Sequence, residues 1–472
     1  MCQRVQCSFS PCLSSNMDYK SIFKRYDIRG KYPGELNEAV AIKLAQAYFH
    51  TIRPREVVIG YDNIYGSDII ARAFSAELIT EGVKVYNVGS VTTPMLYFSS
   101  SYKNIPLSIM CTASHLGEGY TGIKPNKDGI PLEEEAVLAI KVEFDRLTTI
   151  ASHDFELVPA ERQPETINIY GPYVATIASL LSYPLYNYKV AVDLGNGNNA
   201  FVAEQLLHKV GIDYRAINSE VRDRDLQHPS NPKMQSNRSQ LEHLIAEMGA
   251  DLGVIWDGDC DRCYLVDWAG EVIPPEYVAI KIAGLLKKTN SYSHITADVR
   301  ASFAVERELA KEEIKVKRIQ AWHVPIKYEM EQDPTIGFGF EVSGHYVFKD
   351  FFKIDDGLLA FLLFIEALEN LKLDFKADLS KFHSTYYIPE EMNFTSPISE
   401  EELKAKLPVK YKDGLINLVD GVSIDYPTWR FNIRASRTEP ILRLNISGTN
   451  RAEVGAHLAD IERIVGGKKL AS

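Results

Sequence analysis

The sequence predicts an α/β protein made of three similar mixed α/β domains plus a C-terminal α+β domain. Three observations carry this: strand-like and helix-like segments alternate, the alternation recurs in three blocks, and the last block changes pattern. In the first block Val57-Val58-Ile59-Gly60 reads as a strand, residues 69–78 as an amphipathic helix and Lys84-Val85-Tyr86-Asn87-Val88 as the next strand. The second block has a strand over 188–193 and a helix over 200–210, and the third a strand over 294–298 and a helix over 304–311. Strand, helix and strand at this spacing form a parallel unit. The blocks share this rhythm without a residue-level repeat. In the last block 429–433 and 441–446 alternate like antiparallel strands around a turn. Val454, Leu458 and Ile461 then mark a helical face, opened by Asn450 and Glu453 and closed by Gly466-Gly467.

A chain of 472 residues exceeds what one hydrophobic core fills. Breaks are expected near 151–166, where Ser, His and Pro accumulate, near 267–276 around Pro274-Pro275, and near 372–385 after a long apolar helix. They delimit domains at 17–160, 161–268, 269–376 and 377–472. Residues 1–16 are set apart as a disordered extension, or as the product of a start upstream of Met17.

The composition, 45% hydrophobic and 24% charged, is that of a soluble globular protein. A formal charge of -11 opposes nucleic acid and anionic membranes, so an anionic ligand must be held by a local cluster of Arg and Lys. The longest apolar run, 358–365, is far short of the roughly 20 residues that span a bilayer. Three of the six cysteines, Cys2, Cys7 and Cys12, crowd the first positions, and the set matches neither a disulfide framework nor a zinc spacing. With no apolar signal segment near the start, a cytoplasmic protein is expected, monomeric or dimeric.

Four motifs carry chemistry. Thr112-Ala113-Ser114-His115-Leu116-Gly117-Glu118-Gly119 sets a hydroxyl nucleophile on a small-residue turn, with Lys124 shortly downstream. Asp257-Gly258-Asp259-Cys260-Asp261-Arg262 offers three carboxylates at alternate positions, enough oxygen and charge for one hard divalent cation. An EF-hand is excluded, because its sixth and twelfth positions hold Arg262 and Trp268. The preceding run, 251–256, reads as a buried strand, so the acidic loop lies at a strand's C-terminal end, where parallel α/β proteins bind ligands. Glu341, Ser343 and His345 alternate along an extended stretch, which would point all three to one side and suit them to sugar hydroxyls. Arg434, Ser436, Arg437 and Thr438 lie between two strands and suit a phosphate dianion.

In this chain order the motifs, together with Phe23-Lys24-Arg25-Tyr26-Asp27-Ile28-Arg29-Gly30, resemble the α-D-phosphohexomutase family, closest to its phosphomannomutase/phosphoglucomutase members. The resemblance covers nearly the whole chain and implies four domains around a central cleft. It implies that Ser114 is phosphorylated and that Asp257, Asp259 and Asp261 hold Mg²⁺ together with a phosphoserine oxygen. Arg262 then faces the transferring phosphoryl, Lys124 and His323 handle protons or contact phosphate, and Arg29 and Tyr26 line the same cleft. Glu341 and Ser343 would meet the sugar O3 and O4, with His345 nearer the phosphate. Arg434, Ser436, Arg437 and Thr438 would clamp the phosphate that is not reacting. The implied reaction interconverts hexose 1-phosphate and hexose 6-phosphate, of mannose, glucose or both, with a hexose 1,6-bisphosphate as intermediate and activator. Glucose and mannose share configuration at O3 and O4, so both fit such contacts.

The chain departs from the family pattern at Leu116-Gly117, where Asn-Pro is usual, at Arg437, where Asn is usual, and at Tyr61 and Ile64, where arginines are usual. These departures motivate an alternative, a sugar-phosphate-binding protein without turnover. A phosphoglucosamine mutase is a second alternative. Gly195-Asn196-Gly197-Asn198-Asn199-Ala200 motivates a third, an NAD-dependent oxidoreductase, because it follows a strand, opens a helix and has Glu220 downstream.

Overall fold

The structure is a computed structural model that describes residues 21–147, 163–182, 185–372, 374–436 and 439–470. Its first three sheets share one strand order. In the first, Glu56–Tyr61 lies between the parallel strands Lys84–Ser90 and Leu107–Cys111, and Tyr120–Lys127 pairs antiparallel outside the latter. In the second, Lys189–Asp193 lies between Asp213–Ile217 and Leu252–Trp256, with Cys263–Asp267 antiparallel outside. In the third, His294–Asp298 lies between Lys315–Ile319 and Ile336–Phe340, with Tyr346–Phe348 antiparallel outside. The rhythm read from the sequence is therefore a repeat of topology.

One corner of each sheet follows from that order. The connection between the third and fourth strands of a repeat leaves the C-terminal end of a parallel strand and returns at once. The register closes on it at Cys111↔Ile123, Trp256↔Cys263 and Phe340↔Tyr346. Those three corners carry Ser114, the three aspartates, and the segment from Glu341 to His345.

The parallel strands are apolar because both faces are covered; every residue of Leu252–Trp256 and of Ile336–Phe340 is buried. One continuous core joins the three sheets, running from Val58 and Phe98 through Val190 and Val254 to Phe338. Helix Gly357–Leu371 lies within this core, and Phe361, Phe364 and Ile365 are wholly buried. At about 25 cal/mol per Å², burying such side chains contributes on the order of 2 kcal/mol each. The break expected near 372–385 holds a helix instead: Phe375–Thr385 buries Phe375, Leu379 and Phe382.

The C-terminal domain has its own core and an antiparallel six-stranded sheet centred on Trp429–Ala435 and Leu442–Gly448. Its helix Arg451–Val465 begins where Asn450 accepts from the amides of Ala452 and Glu453, ends at Gly466, and buries Val454 and Ile461. Among the described residues no helix is long and apolar enough to cross a membrane.

The glycine- and asparagine-rich turn at 195–199 fastens the second domain to the first. The Asn198 amide donates to Asn63 Oδ1 at 2.9 Å and Asn198 Nδ2 to Val91 O at 2.5 Å, while Asn196 Nδ2 braces the turn within the second domain on Glu220 O at 2.9 Å. Asn63 Nδ2 returns a bond to Asn196 O at 3.1 Å. Polar groups that a dinucleotide would need are spent on the domain seam.

Candidate active site

The serine loop begins at Thr112, whose hydroxyl accepts the Ser114 amide at 2.7 Å. The buried Asp62 steadies it, accepting the amides of Ala113 at 2.9 Å and Ile64 at 3.0 Å. Ser114 is buried at the start of a short 3₁₀ turn over Ser114–Leu116 with φ +54°. Cys260, in the acidic loop, has φ +62°. A left-handed non-glycine residue costs on the order of 1–3 kcal/mol, which the surrounding contacts must offset, so both loops are held in fixed shapes.

The two loops interlock. A Cβ on Gly258 would lie 2.6 Å from the Ser114 carbonyl oxygen and 3.0 Å from Ser230 Cβ, so only glycine permits the approach. From the first domain, the Thr93 hydroxyl donates to Asp259 Oδ2 at 2.7 Å and the Thr93 amide to Asp259 O at 3.0 Å. Asp257, Asp259 and Asp261 are all buried and offer ligand oxygens within 4.8 Å of one another.

Their electrostatics fit a cation. Asp257 Oδ2 and Asp259 Oδ1 are buried without a hydrogen bond. Burial first, then repulsion from Asp261 and Asp259, pushes the Asp257 carboxyl well above the usual carboxylate range. Burial acts on Asp261 in the same sense, but Lys124 and His345 overcome it and hold that carboxyl well below the range. Lys124 Nζ lies 2.6 Å from Asp259 Oδ2 and 3.5 Å from Asp261 Oδ2. Burial opposes its charge, yet the two aspartates raise its pKa and keep it an ammonium. The Arg262 amide donates to Asp257 Oδ1 at 3.1 Å, and its guanidinium reaches the His115 ring at 3.4 Å. Burial, then Arg262 and Arg29, push His115 down to about 3, so this neighbour of Ser114 is a neutral imidazole. Arg29 pairs with Asp27 at 2.6 Å and feels both Asp259 and Arg262.

The third domain docks directly on the acidic loop. The Cys263 amide donates to Gly344 O at 3.0 Å, and His345 Nε2 lies 3.3 Å from Asp261 Oδ1. The expected extended run of Glu341, Ser343 and His345 is in fact a tight turn between strands, closed by Glu341 N to His345 O at 2.9 Å and by Gly344 at φ +94°. The side chains meet across the turn rather than by alternation: His345 Nδ1 is 3.2 Å from Glu341 Oε2 and 3.1 Å from Ser343 Oγ. Burial lowers the His345 pKa, but Asp261 and Glu341 outweigh it and push it up to about 10.

His323 opens helix Val324–Gln332 and stacks on the His345 ring at 4.7 Å. Tyr26 stacks on Trp322 at 3.6 Å, and this pair lines a cavity of about 480 Å³ whose lining includes neither Ser114 nor the three aspartates. Arg434 is buried with Nη2 3.7 Å from Glu391 Oε2, and it senses Arg300. Ser436 follows the same strand, its amide bonded to Ile441 O at 2.8 Å. Arg437 and Thr438 lie outside the described residues.

Sequence reasoning passed over Arg300, which pairs with Asp298 at 2.9 Å and Glu341 at 2.6 Å and so stands between the third-domain turn and Arg434. Its position just past the C-terminal end of His294–Asp298 was a usable signal. Asp355, bound to His323, and Thr93 had none, since nothing local marks them.

Four domains bring together a serine loop, a carboxylate loop, a polar turn and, through Arg300, a buried arginine, an arrangement that suits phosphoryl transfer, and the chain's relatives make it an enzyme of the mutase class. Models of the phosphoglucomutase/phosphomannomutase alpha/beta/alpha domains I, II and III match residues 20–151, 172–270 and 274–386, and the chain belongs to that family. It is similar to the phosphohexose mutases of Xanthomonas campestris pv. campestris (strain B100), 28% identical over 436 residues, covering 90% of this chain and 94% of that one. A phosphomannomutase of Escherichia coli is 27% identical over 461 residues, covering 95% and 99%. In fold it matches a phosphoglucomutase/phosphomannomutase family protein from Burkholderia thailandensis, with TM-score 0.81, 24% identity and coverage of 94% and 96%.

The interlock at Gly258 gives a direct expectation. Gly258→Ala forces the Ser114 carbonyl away from the acidic loop, and a displacement on the order of 1 Å costs about 10²-fold in turnover. Steady-state kinetics beside a thermal melt check it: turnover falls at temperatures where the variant, though melting lower than the parent, is still folded.

Proposed function

We propose that the protein interconverts hexose 1-phosphate and hexose 6-phosphate, of mannose, glucose or both, through phosphorylated Ser114 and a 1,6-bisphosphate intermediate. The observation that supports this most is the packing of Gly258 against the Ser114 carbonyl, which joins a nucleophile to three buried carboxylates that lack sufficient partners. Relatives named phosphomannomutase and phosphohexose mutases, matched over nine-tenths of the chain or more, support the same substrate class.

In the transfer, the sugar hydroxyl oxygen bonds to phosphorus as the bond from phosphorus to Ser114 Oγ breaks. His323 takes the hydroxyl proton, and Lys124, held charged by Asp259 and Asp261, donates a proton to Ser114 Oγ. Arg262 faces charge spreading over the equatorial oxygens, with Arg29 beside it. Mg²⁺ held by Asp257, Asp259, Asp261 and the phosphoserine supplies further neutralisation of that charge when bound. Glu341 and Ser343 hold the sugar O3 and O4 with His345 toward the phosphate. Tyr26 stacks on Trp322 in a neighbouring cavity, apart from the serine and carboxylate loops. Arg434, Ser436, Arg437 and Thr438 grip the phosphate that is not reacting. One grip serves both orientations of the bisphosphate, so the intermediate can turn over and return its other phosphoryl to Ser114. The described cysteines, Cys111, Cys260 and Cys263, are unpaired and buried, which supports a reducing cytoplasm.

Intact-mass spectrometry combined with coupled assays tests the reading. One phosphoryl group on the purified chain, mapped to Ser114, and turnover of mannose 1-phosphate or glucose 1-phosphate are expected. Faster turnover of glucosamine 1-phosphate would reassign the substrate, and an unphosphorylated chain inert toward all three would make it a binding protein.

A further inference from the structure

Lys327 is a wholly buried lysine that the mechanism above leaves unused. It sits one helical turn after His323 on Val324–Gln332, so the two side chains share a face. Its Nζ is 2.7 Å from Asp355 Oδ1, and the other oxygen of that carboxylate, Oδ2, is 2.8 Å from His323 Nδ1; both are ion-pair contacts that lack the angles of a hydrogen bond. The same ammonium donates to Gly129 O at 2.8 Å and lies 4.8 Å from the centre of the Tyr97 ring. Gly129 and Tyr97 belong to the first domain. Gly129 closes the turn that follows Tyr120–Lys127, the strand that carries Lys124.

His323, His345 and Asp355 bring ligand atoms within 4.8 Å of one another, as a metal site would. The position of a cation is already taken, however, because the Lys327 ammonium occupies the second oxygen of Asp355. A desolvated ammonium needs a charged partner to be tolerated. This one has a carboxylate whose other oxygen lies against a histidine nitrogen, and a carboxylate beside one ring nitrogen favours the proton on that nitrogen.

We propose that Lys327 is a positioning residue for proton transfer: paired with Asp355, it fixes the His323 proton on Nδ1 and leaves Nε2 as the basic nitrogen. Because Lys327 is also anchored on Gly129, that state is completed only when the first and third domains are docked. The inference rests on the reading of His323 as the group that takes the sugar hydroxyl proton. The charges support it. Burial alone would raise the Asp355 carboxyl, but Lys327 and then His323 hold it below the usual range. Burial pushes His323 down; Asp355 opposes this, and His345 and Lys327 add to it. The ionisable groups facing His323 are therefore Asp355, Lys327 and His345, with Glu341 also within electrostatic reach.

Removing the ammonium leaves the Asp355 charge to be met by a proton on His323, so the base starts out occupied. Lys327→Met in the full chain should lower kcat by about 10–100-fold, the usual cost of losing a group that orients a histidine. KM should stay within about twofold, and the acid limb of the kcat profile should move to higher pH. Asp355→Asn should lower kcat similarly with KM little changed, and it serves as the test where Lys327→Met does not fold. Wild-type kcat and an unchanged pH profile in either folded variant, even with a lower melting temperature, would reduce Lys327 to packing and overturn the proposal. His323→Asn separates the premise from the inference. Full turnover there removes His323 from proton transfer altogether, whereas an impaired His323→Asn beside a fully active Lys327→Met overturns only the role of Lys327.

Discussion

Ser114→Ala is expected to abolish mutase turnover while leaving the fold intact. The substitution removes only Oγ. The amide bonds that shape the loop, Ser114 N to Thr112 Oγ1 at 2.7 Å and Ala113 N to Asp62 Oδ2 at 2.9 Å, belong to the backbone and persist. The left-handed φ of +54° is no harder for alanine than for serine, since both carry a Cβ. Without the oxygen, neither phosphoryl storage nor the covalent route exists, and loss of such a nucleophile costs on the order of 10⁴-fold or more. A coupled assay with glucose 1-phosphate and a 1,6-bisphosphate measures the loss, and intact mass should show the phosphoryl group gone. Near-normal turnover in the variant would remove Ser114 from the reaction.

The site's location follows from strand order rather than from any one motif. Each of the first three sheets puts an antiparallel strand outside its third parallel strand, so each has one short loop at the C-terminal edge of the sheet. Ser114, the aspartates and the turn from Glu341 to His345 occupy the equivalent loop in successive domains. Docking makes the loops touch: Thr93 meets Asp259, Gly258 meets the Ser114 carbonyl, and Gly344 meets Cys263. Three copies of one topology thus supply a serine loop, a loop of three buried carboxylates and a polar turn.

Much of this was legible locally. The apolar run before Asp257 has no partner residue to wait for; five buried residues in a row declare a central strand, and the carboxylates must then follow its C-terminal end. Asn450, Val454, Ile461 and Gly466 likewise fixed their helix by capping and period alone. The turn at Glu341 misled because Glu-x-Ser-x-His has the two-residue period of a strand, while the deciding feature, a glycine able to take φ +94° at position 344, looks ordinary in sequence. The tie from Lys327 to Asp355 and His323 was illegible for a different reason. Ile354–Asp355 reaches His323 only by pairing with Tyr346–Phe348, which is a fact of the sheet and not of the neighbouring residues.

Asp257→Asn should separate metal binding from folding. In the metal-free protein burial and two neighbouring carboxylates hold the Asp257 carboxyl well above the usual range. Between the ordinary value near ~4 and that raised value, the folded protein keeps a proton that the unfolded chain has released, so stability falls as pH rises. The amide carries no such proton, and its oxygen still accepts the Arg262 amide that Asp257 Oδ1 holds at 3.1 Å. The metal-free variant should therefore melt within ~2–4 °C of the parent, a shift equivalent to about 1 kcal/mol, and lose part of the decline in stability with pH. Magnesium should discriminate between the two proteins. At a concentration near 100 times its dissociation constant it stabilises the parent by about 2.7 kcal/mol, and a tenfold weaker site gives up about 1.4 kcal/mol of that. Turnover should fall by about 10²–10³-fold, because a group that neutralises the transferring phosphoryl is held less well. Melting curves over a magnesium series, run at two pH values, read both effects. An Asp257→Asn chain that gains as much from magnesium as the parent would take Asp257 out of the cation site.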